Sequence, residues 1–324
     1  MKPFAIGIDL GGTQIKAGLV ERDKGLVATE TIDTEAASGP KGVLDRIATV
    51  AKKLGGDIDS LAGIGIGSPG SINWDRTHVS YPPNLPGWEV IDVQSEIQDR
   101  WGSAIPVLVE NDANAAGLGS AYYGAGLPFD SFIMITLGTG VGGAIIYRKK
   151  IFRGTTGGAA EIGHMSIDFA GPPARSGIHG AIEAYLGQRF LSQYARFRLL
   201  PTTSIIHQMA GPDLTGITPK MLFEAAEQGD QEATDILAWA GDKLGVVLGS
   251  AINLLDIRKV VVGGGLSAAG DYILGPTRHS VRKYVLQGLQ DGIEIVQETL
   301  GNEAGVLGPA HLLFQHQDGV LDAD

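Results

Sequence analysis

The most informative pattern for the fold lies in residues 4–20, Phe4-Ala-Ile-Gly-Ile-Asp-Leu-Gly-Gly-Thr-Gln-Ile-Lys-Ala-Gly-Leu-Val20. Its alternating apolar residues predict two short strands joined by a glycine turn at residues 10–13. About 128 residues further along, residues 132–147 repeat this order of strand, turn and strand, with the turn at 138–140. The repeat predicts two related lobes, each of which opens with a glycine-tipped hairpin.

Strand and helix patterns alternate through the rest of the chain. Apolar runs predict further strands at 25–32, 61–67, 105–110 and 259–262. Amphipathic or small-residue stretches predict helices at 42–54, 92–101, 112–123, 181–197, 219–227, 231–255 and 305–315. A mixture of this kind predicts an α/β protein.

The composition excludes several classes of function. The 324 residues include no cysteine, which excludes disulfides, Fe–S clusters, a cysteine nucleophile and zinc held by thiolates. The formal net charge of −11 argues against general binding to nucleic acid or to an anionic membrane. Asp9 places a carboxylate where an export signal would need a long apolar run. The apolar run 131–147 is too short and too rich in glycine to cross a bilayer. We therefore expect a cytoplasmic protein.

The 48 glycines, about twice the usual share, concentrate in strand turns. Two strings, 65–70 and 138–143, match Gly-x-Gly-x-x-Gly, but neither is followed at once by a helix, so a dinucleotide fingerprint is excluded. A Walker A pattern is absent from the sequence. Glycine-tipped hairpins can instead present consecutive backbone N–H groups to phosphate oxygens. One glycine turn is usually only a tight turn, whereas three, at 11–12, 138–140 and 263–265, favour a phosphate site.

Two clusters of polar residues are candidates for chemistry. Asn111 and Asp112 follow a strand and open a helix, where they either cap the helix or place a carboxylate base at the carboxyl end of a sheet. Glu161 and His164 stand three residues apart among small residues, and Glu183 follows near a helix start. A single histidine in apolar surroundings is more often structural than a ligand, so the sequence alone leaves the second cluster open.

Together these pieces resemble the ROK family of sugar kinases, within the superfamily of actin, hexokinase and the heat-shock chaperone ATPases. The resemblance covers almost the whole chain, in the family's order, and rests on five motifs: Asp9-Leu-Gly-Gly-Thr-Gln-Ile-Lys16, Glu110-Asn-Asp-Ala-Asn-Ala-Ala116, Leu137-Gly-Thr-Gly-Val-Gly-Gly143, Gly158-Ala-Ala-Glu-Ile-Gly-His164 and Val260-Val-Val-Gly-Gly-Gly265.

The resemblance implies a two-lobed α/β fold of the actin/hexokinase (ribonuclease H-like) type, with the active site in the cleft between lobes. Residues 1–118 and a C-terminal helix at about 305–324 would form the smaller lobe, and residues 119–304 the larger one. The implied reaction is phosphorylation of a hexose by ATP with Mg²⁺.

The resemblance also assigns residues to roles. Asp112 would be the catalytic base, and Asp9 would support Mg²⁺ through water. The residues expected at ATP are Asp9, Gly11, Gly12, Thr13, Lys16, Gly138, Thr139, Gly140, Gly263, Gly264 and Gly265. Those expected at the sugar are Gly70, Asn84, Asn111, Asp112, Glu161, His164 and Glu183.

One departure from the family pattern stands out. The family commonly carries three cysteines that bind zinc together with a histidine, and here the same frame reads Ala174-Arg-Ser-Gly-Ile-His-Gly-Ala-Ile-Glu183. His164 and the nearby His179 cannot supply the four ligands that structural zinc requires. We expect no structural zinc, and a loop at 171–180 held by packing and hydrogen bonds.

Several alternatives stay open. The hexose is expected to be glucose, phosphorylated at the 6-OH, but N-acetylmannosamine, N-acetylglucosamine, fructose and mannose are alternatives. Polyphosphate is an alternative to ATP as the donor. The family also contains sugar-responsive transcriptional regulators, which carry a helix-turn-helix before the first strand; only three residues precede Phe4 here, so this function is disfavoured. A homodimer is expected by resemblance.

Overall fold

The computed structural model describes residues 1–56 and 58–321. The chain forms two compact units. The first comprises residues 1–131, residues 144–160 and the chain from Asn302 onward, and the second comprises residues 132–143 and 161–301. These segments differ from the expected ones in that 119–131 and 144–160 group with the first unit. The part of the expected C-terminal helix at 322–324 lies outside the described residues.

The strands and helices follow the predicted alternation. The strands are β1 (Phe4–Leu10), β2 (Gln14–Glu21), β3 (Gly25–Asp33), β4 (Leu61–Ser68), β5 (Ser71–Ile72), β6 (His78–Ser80), β7 (Val90–Asp92), β8 (Val107–Asn111), β9 (Phe132–Leu137), β10 (Val141–Tyr147), β11 (Lys150–Ile151), β12 (Lys259–Gly263) and β13 (Glu294–Gln297). The helices are α1 (Gly39–Gly55), α2 (Val93–Trp101), α3 (Asp112–Tyr123), α4 (Glu183–Leu186), α5 (Gln188–Leu199), α6 (Ile206–Ala210), α7 (Pro219–Glu227), α8 (Gln231–Leu255), α9 (Asp271–Tyr284) and α10 (Ala304–Asp318).

The sheet of the first unit has the strand order β3-β2-β1-β4-β8. The hairpin strands β1, β2 and β3 pair antiparallel, whereas β1, β4 and β8 run parallel, so that the carboxyl ends of β1 and β8 lie at one edge. Helix α10 lies directly on this sheet: a side chain at Gly7 would collide with the carbonyl of Val306, and one at Gly65 with that of Pro309. Glycines within these strands therefore permit the helix to approach the sheet closely.

A second sheet has the order β11-β10-β9-β12-β13. It repeats the plan of the first sheet, in which a hairpin is followed by two parallel strands on its other side. The duplication that the sequence predicts from its two glycine-tipped hairpins is therefore present in the strand order.

Helices α8 and α9 of the second unit pack closely through glycines spaced four residues apart. A Cβ at Gly245 would lie 2.5 Å from Ser280 Cβ, and a Cβ at Gly249 would lie 2.5 Å from Tyr284 Cβ. Residues four apart share one face of a helix, so these glycines form a groove that receives α9. Part of the glycine excess thus serves helix packing.

The single helix predicted over 181–197 is wrong, because the structure divides it into α4 and α5 at Gly187. The backbone there is extended (ψ 137°), and a Cβ at this position would lie 3.3 Å from the carbonyl oxygen of Thr139. The next residue, Gln188, donates its backbone N–H to the carbonyl of Gly138 at 3.0 Å. A tertiary contact with the 138–140 turn therefore interrupts a pattern that favours a continuous helix.

Candidate active site

Asp9 stands near the carboxyl end of β1 and pairs in register with Lys16 on β2. Burial raises the pKa of the Asp9 carboxyl to about 6; the Lys16 charge lowers this pKa, and the Asp112 charge raises it further. Asp9 and Asp112 are thus close enough for their charges to interact, since strands β1 and β8 run parallel, one strand apart, and end at the same edge of the sheet.

Asp112 is the first residue of α3. The cap of this helix is Asn111, whose Oδ1 accepts hydrogen bonds from the N–H groups of Ala113 (3.0 Å) and Asn114 (3.3 Å). The sequence left open whether this pair caps the helix or supplies a base; the structure gives the capping to Asn111. Asp112 accepts one further bond from Ala113 N–H at 2.9 Å through Oδ1. Its other carboxylate oxygen, Oδ2, is not needed for capping.

The environment of Asp112 combines solvent access with desolvation. The side chain is reachable by solvent, yet it lies among so many protein atoms that little bulk water surrounds it. This burial raises the pKa of Asp112, while hydrogen bonds from Ala113 and Asn111 lower it. A carboxylate with a raised pKa at the end of a strand fits the role of a general base.

The first glycine turn lies against Asn84. A Cβ at Gly12 would be 2.9 Å from the Asn84 Cβ, so a predicted phosphate residue and a predicted sugar residue are neighbours in the first unit. Gly11 donates its N–H to Gln14 O at 3.0 Å, and that group is therefore occupied within the turn. Among the described residues, the N–H groups of Gly12 and Thr13 have no hydrogen-bond acceptor and remain available to an anion.

Gly70 adopts a backbone conformation that favours glycine, with φ at +95°. A Cβ there would lie 2.8 Å from the Ser80 carbonyl oxygen and from Pro82 Cα. Gly70 therefore allows the chain after β4 to approach the segment that leads to Asn84. Its part in the structure is steric.

In the second unit, the predicted sugar residues gather at the start of β10. Glu183 Oε2 accepts a hydrogen bond from Val141 N–H at 3.3 Å. Gly163, between Glu161 and His164, lies so close to the Val141 carbonyl that a side chain would collide with it. His164 Nε2 is 3.8 Å from Glu161 Oε2. From sequence spacing alone, only the proximity of Glu161 to His164 could be predicted.

The loop that carries zinc ligands in the family is held here by main-chain bonds. Ile167 donates to Gly180 O (2.8 Å), and Ala174 donates to Ile178 O (3.0 Å). Ala174 and Ala181 are buried, while the Ser176 hydroxyl lies 3.3 Å from His164 Nδ1. Within 1–56 and 58–321, no group of three or more histidine or carboxylate side chains could hold a metal. This donor set does not fit structural zinc, which needs four ligands.

A cavity of about 370 Å³ lies beside the second glycine turn. Two predicted residues, Gly138 and Gly265, line it, and a side chain at neighbouring Gly264 would collide with the Leu137 backbone. The volume is in the range of small-molecule sites. Sequence reasoning missed the rest of the lining: Leu137, Leu186, Gln188, Thr218, Pro219, Lys220, Phe223, Leu266 and Ala268. The Thr218-Pro219 start of α7 was recognisable, but its position beside the turn was not.

Comparison with known proteins identifies the family. The family model described as ROK matches residues 5–316. The chain belongs to the ROK family. A glucokinase of Thermotoga maritima is 34% identical to this ROK protein over 320 residues, which are 97% of this chain and 98% of the relative.

A solved structure and a second relative extend the comparison. The ROK family glucokinase from Streptomyces griseus, in complex with glucose and AMPPNP, matches this ROK protein with a TM-score of 0.82 at 34% identity, over 96% of this chain and 99% of that one. The xylose repressor of Bacillus subtilis is 28% identical over 316 residues, which are 97% of this chain but 77% of the repressor. The fold is therefore the two-lobed actin/hexokinase type. In the described part of the chain, no helix has the length and apolar character that a membrane crossing needs.

Proposed function

We propose that this ROK protein transfers the γ-phosphoryl group of ATP to a hydroxyl of a hexose. Its enzyme class, a sugar kinase, is supported by glucokinases that are 34% identical over nearly the full length of both chains. The residues support the same class, because two phosphate-type glycine turns accompany carboxylates at the carboxyl ends of the parallel strands β1 and β8. Phosphoryl transfer needs mainly positioning and neutralisation of charge, which such parts supply.

The observation that carries the proposal is Asp112 beside a separate helix cap. Because Asn111 caps α3, Asp112 keeps an oxygen for substrate, and burial raises its pKa toward the range useful to a base. In the proposed reaction this carboxylate accepts the proton of the attacking hydroxyl, the 6-OH if the substrate is glucose. The oxygen of that hydroxyl then attacks the γ-phosphorus, and ADP leaves.

The donor site is proposed around the 370 Å³ cavity of the second unit, with ATP as the donor. Gly138, Thr139 and Gly140 would contact phosphates, and the 263–265 turn would face the adenosine. On the first unit, Gly12 and Thr13 offer N–H groups, and Lys16 offers a cation. Mg²⁺ takes few carboxylates and keeps several waters, so the half-buried Asp9 fits as its water-mediated partner. The ion would neutralise phosphate charge.

The sugar site is proposed from carboxylate, amide and imidazole groups, which suit hydroxyls as hydrogen-bond partners. Glu161, His164 and Glu183 would bind ring hydroxyls. Asn111, which is adjacent to Asp112, and Asn84, which lies against Gly12, would add amide groups to the same site. Glucose is the proposed hexose, supported by the names of the relatives. The homodimer and the cytoplasmic location expected from the sequence remain predictions.

A coupled assay of ADP production over a hexose panel tests the proposal. We expect ADP release that depends on added hexose, and a fall in kcat of about 10²-fold in Asp112→Asn, which keeps the shape but removes the base. Asp99→Asn, at an exposed position of α2, is the matched control and keeps full activity. Hexose-independent ADP release, or unchanged turnover in Asp112→Asn, would refute the assignment. A sugar that binds without turnover would favour the regulator function instead.

A further inference from the structure

Glu110 is the charged residue of the 110–116 motif to which the proposed function gives no role. It lies on β8 immediately before Asn111, and its side chain is 1% exposed. A buried carboxylate is costly unless charged partners and hydrogen bonds compensate for the lost hydration. The partners of Glu110 therefore indicate what the residue does.

One oxygen of Glu110 holds the chain on both sides of Asp112. Oε1 accepts the backbone N–H of Asn111 at 2.9 Å and the side-chain amide N–H of Asn114 at 3.1 Å. These residues precede and follow Asp112 in the first turn of α3. The position of this oxygen therefore fixes the start of the helix on which Asp112 stands.

The other oxygen faces two buried arginines. Arg76 Nε donates to Glu110 Oε2 at 2.9 Å, and Arg153 Nε lies 3.1 Å from the same atom. The side chains of Arg76 and Arg153 are 2% and 0% exposed. Two guanidinium groups beside one oxygen hold the rotamer of the carboxylate, so that the opposite oxygen stays directed at α3.

The arginines are fixed by neighbouring backbone. Arg153 donates through Nη1 to Trp74 O at 2.6 Å and through Nη2 to Asn73 O at 2.9 Å, and the Arg76 carbonyl accepts Val109 N–H at 2.9 Å. The cluster thus joins the turn after β5, the end of β8 and the segment after β11. That segment continues along the chain to Glu161.

Stability alone is a weak explanation for such a cluster. Apolar residues of similar volume often replace buried ion pairs at no cost to stability. Placement directly under the first turn of α3 favours a role in geometry.

We propose that Glu110, held by Arg76 and Arg153, is a positioning residue that sets the location of the Asp112 carboxylate for proton transfer. The inference rests on the proposed kinase function. Glu110 touches neither substrate nor reacting atoms and acts through Asn111 and Asn114. Because proton transfer depends on distance far more than binding does, its loss lowers kcat more than it raises KM.

A double-mutant cycle tests the proposal. Glu110→Gln directs an amide N–H at two guanidinium groups or turns its oxygen away from α3. We expect kcat to fall at least tenfold, with KM for hexose and ATP changed less than about threefold. In the Asp112→Asn background the same substitution lowers the residual kcat less than about threefold, because the base through which it acts is already absent. An equal fall in both backgrounds, or an unchanged kcat, overturns the proposal.

Further variants keep the test independent of folding. Arg153→Lys retains the positive charge but not the planar pair of donors, and we expect an intermediate fall in kcat with the same dependence on Asp112. If Glu110→Gln does not fold, Arg153→Lys takes its place in the double-mutant cycle with Asp112→Asn. Gln315→Met, at a buried hydrogen-bonded position of α10, is the control for destabilisation and keeps kcat per folded molecule. If the wild type phosphorylates no hexose, the proposed function fails; if only the cycle is additive, the positioning role fails.

Discussion

The Glu183 carboxylate occupies the space where a side chain at Gly140 would stand. Its Oε2 atom accepts a hydrogen bond from Val141 N–H at 3.3 Å, and a Cβ at Gly140 would collide with the same oxygen. A predicted sugar residue is thereby in contact with a predicted phosphate turn inside the second unit. The absence of a side chain at Gly140 is a condition for this contact.

Replacement of Gly140 tests that relationship. Gly140→Ala must displace Glu183, and a hydrogen bond to a charged group is worth about 1.5–3 kcal/mol. We expect kcat/KM for the hexose to fall between about tenfold and a hundredfold, measured by coupled ADP release. Gly275→Ala, in α9 with nothing within 4 Å of the added Cβ, is the matched control. Equal activity of the two variants would contradict the proposed role of Glu183.

The buried charge of Asp9 lowers the free energy of unfolding. Its pKa is about 6 in the folded chain against an ordinary 3.8, mainly because of burial, so its ionisation opposes folding. Asp9→Asn removes this cost, and we expect the free energy of unfolding at pH 8 to rise by about 1–2 kcal/mol, reduced from the full value because Asp9 is half-buried. Activity should fall as stability rises.

The pH dependence follows from the direction of the shift. The gain from Asp9→Asn is complete above about pH 6, decreases as the pH falls toward 4, and vanishes below the ordinary carboxyl pKa, where both states are protonated. Urea unfolding at pH 8, 6 and 5 measures it, with Asp99→Asn as the control. A gain that is the same at pH 8 and pH 5 would show that burial of the Asp9 charge is not the cause.

Zinc is not expected to support this enzyme. Ala174, Ser176 and Ala181 stand where the family carries thiolates, and the loop is closed by backbone hydrogen bonds instead. We expect metal analysis of the purified protein to find less than about 0.1 zinc per chain. A zinc-selective chelator, added with Mg²⁺ in excess, should leave kcat and the thermal midpoint unchanged. Stoichiometric zinc would reverse this interpretation.

The cavity beside the second glycine turn is the proposed ATP site, and its lining can be tested by mutation. Phe223 lines it and packs edge-on against Tyr272, with ring centres 6.1 Å apart. Phe223→Ala removes an aromatic wall worth about 1 kcal/mol, so KM for ATP should rise about five- to tenfold while KM for the hexose stays constant. Phe197→Ala, at a position of α5 that is 76% exposed, is the control. A change confined to the KM for the hexose would contradict the proposal that ATP binds in this cavity.

Local patterns identified most of the secondary structure. The bounds predicted for α7, α8 and β9 agree with the structure, since each has a clear periodicity and a cap or turn at its end. Helix α9 and strand β13 were not predicted. The first contains Pro276, and the second has only four residues, so the local signal is weak in both.

The amino-acid sequence was sufficient to predict the α/β class, the duplicated hairpins, the family and the set of candidate residues. Each of these depends on residue type and spacing, which are local properties. The folded structure was needed to show that Asn111 rather than Asp112 caps α3, that Gly187 ends a helix beside the 138–140 turn, and that Glu110 is held between Arg76 and Arg153. The last two arrangements join residues that are distant in the chain: Glu110 lies 34 positions from Arg76 and 43 from Arg153, and Gln188 lies 50 from Gly138. A linear pattern carries no signal for such contacts. The choice of cap is local, but Asn and Asp are both good N-cap residues, so residue type leaves it open.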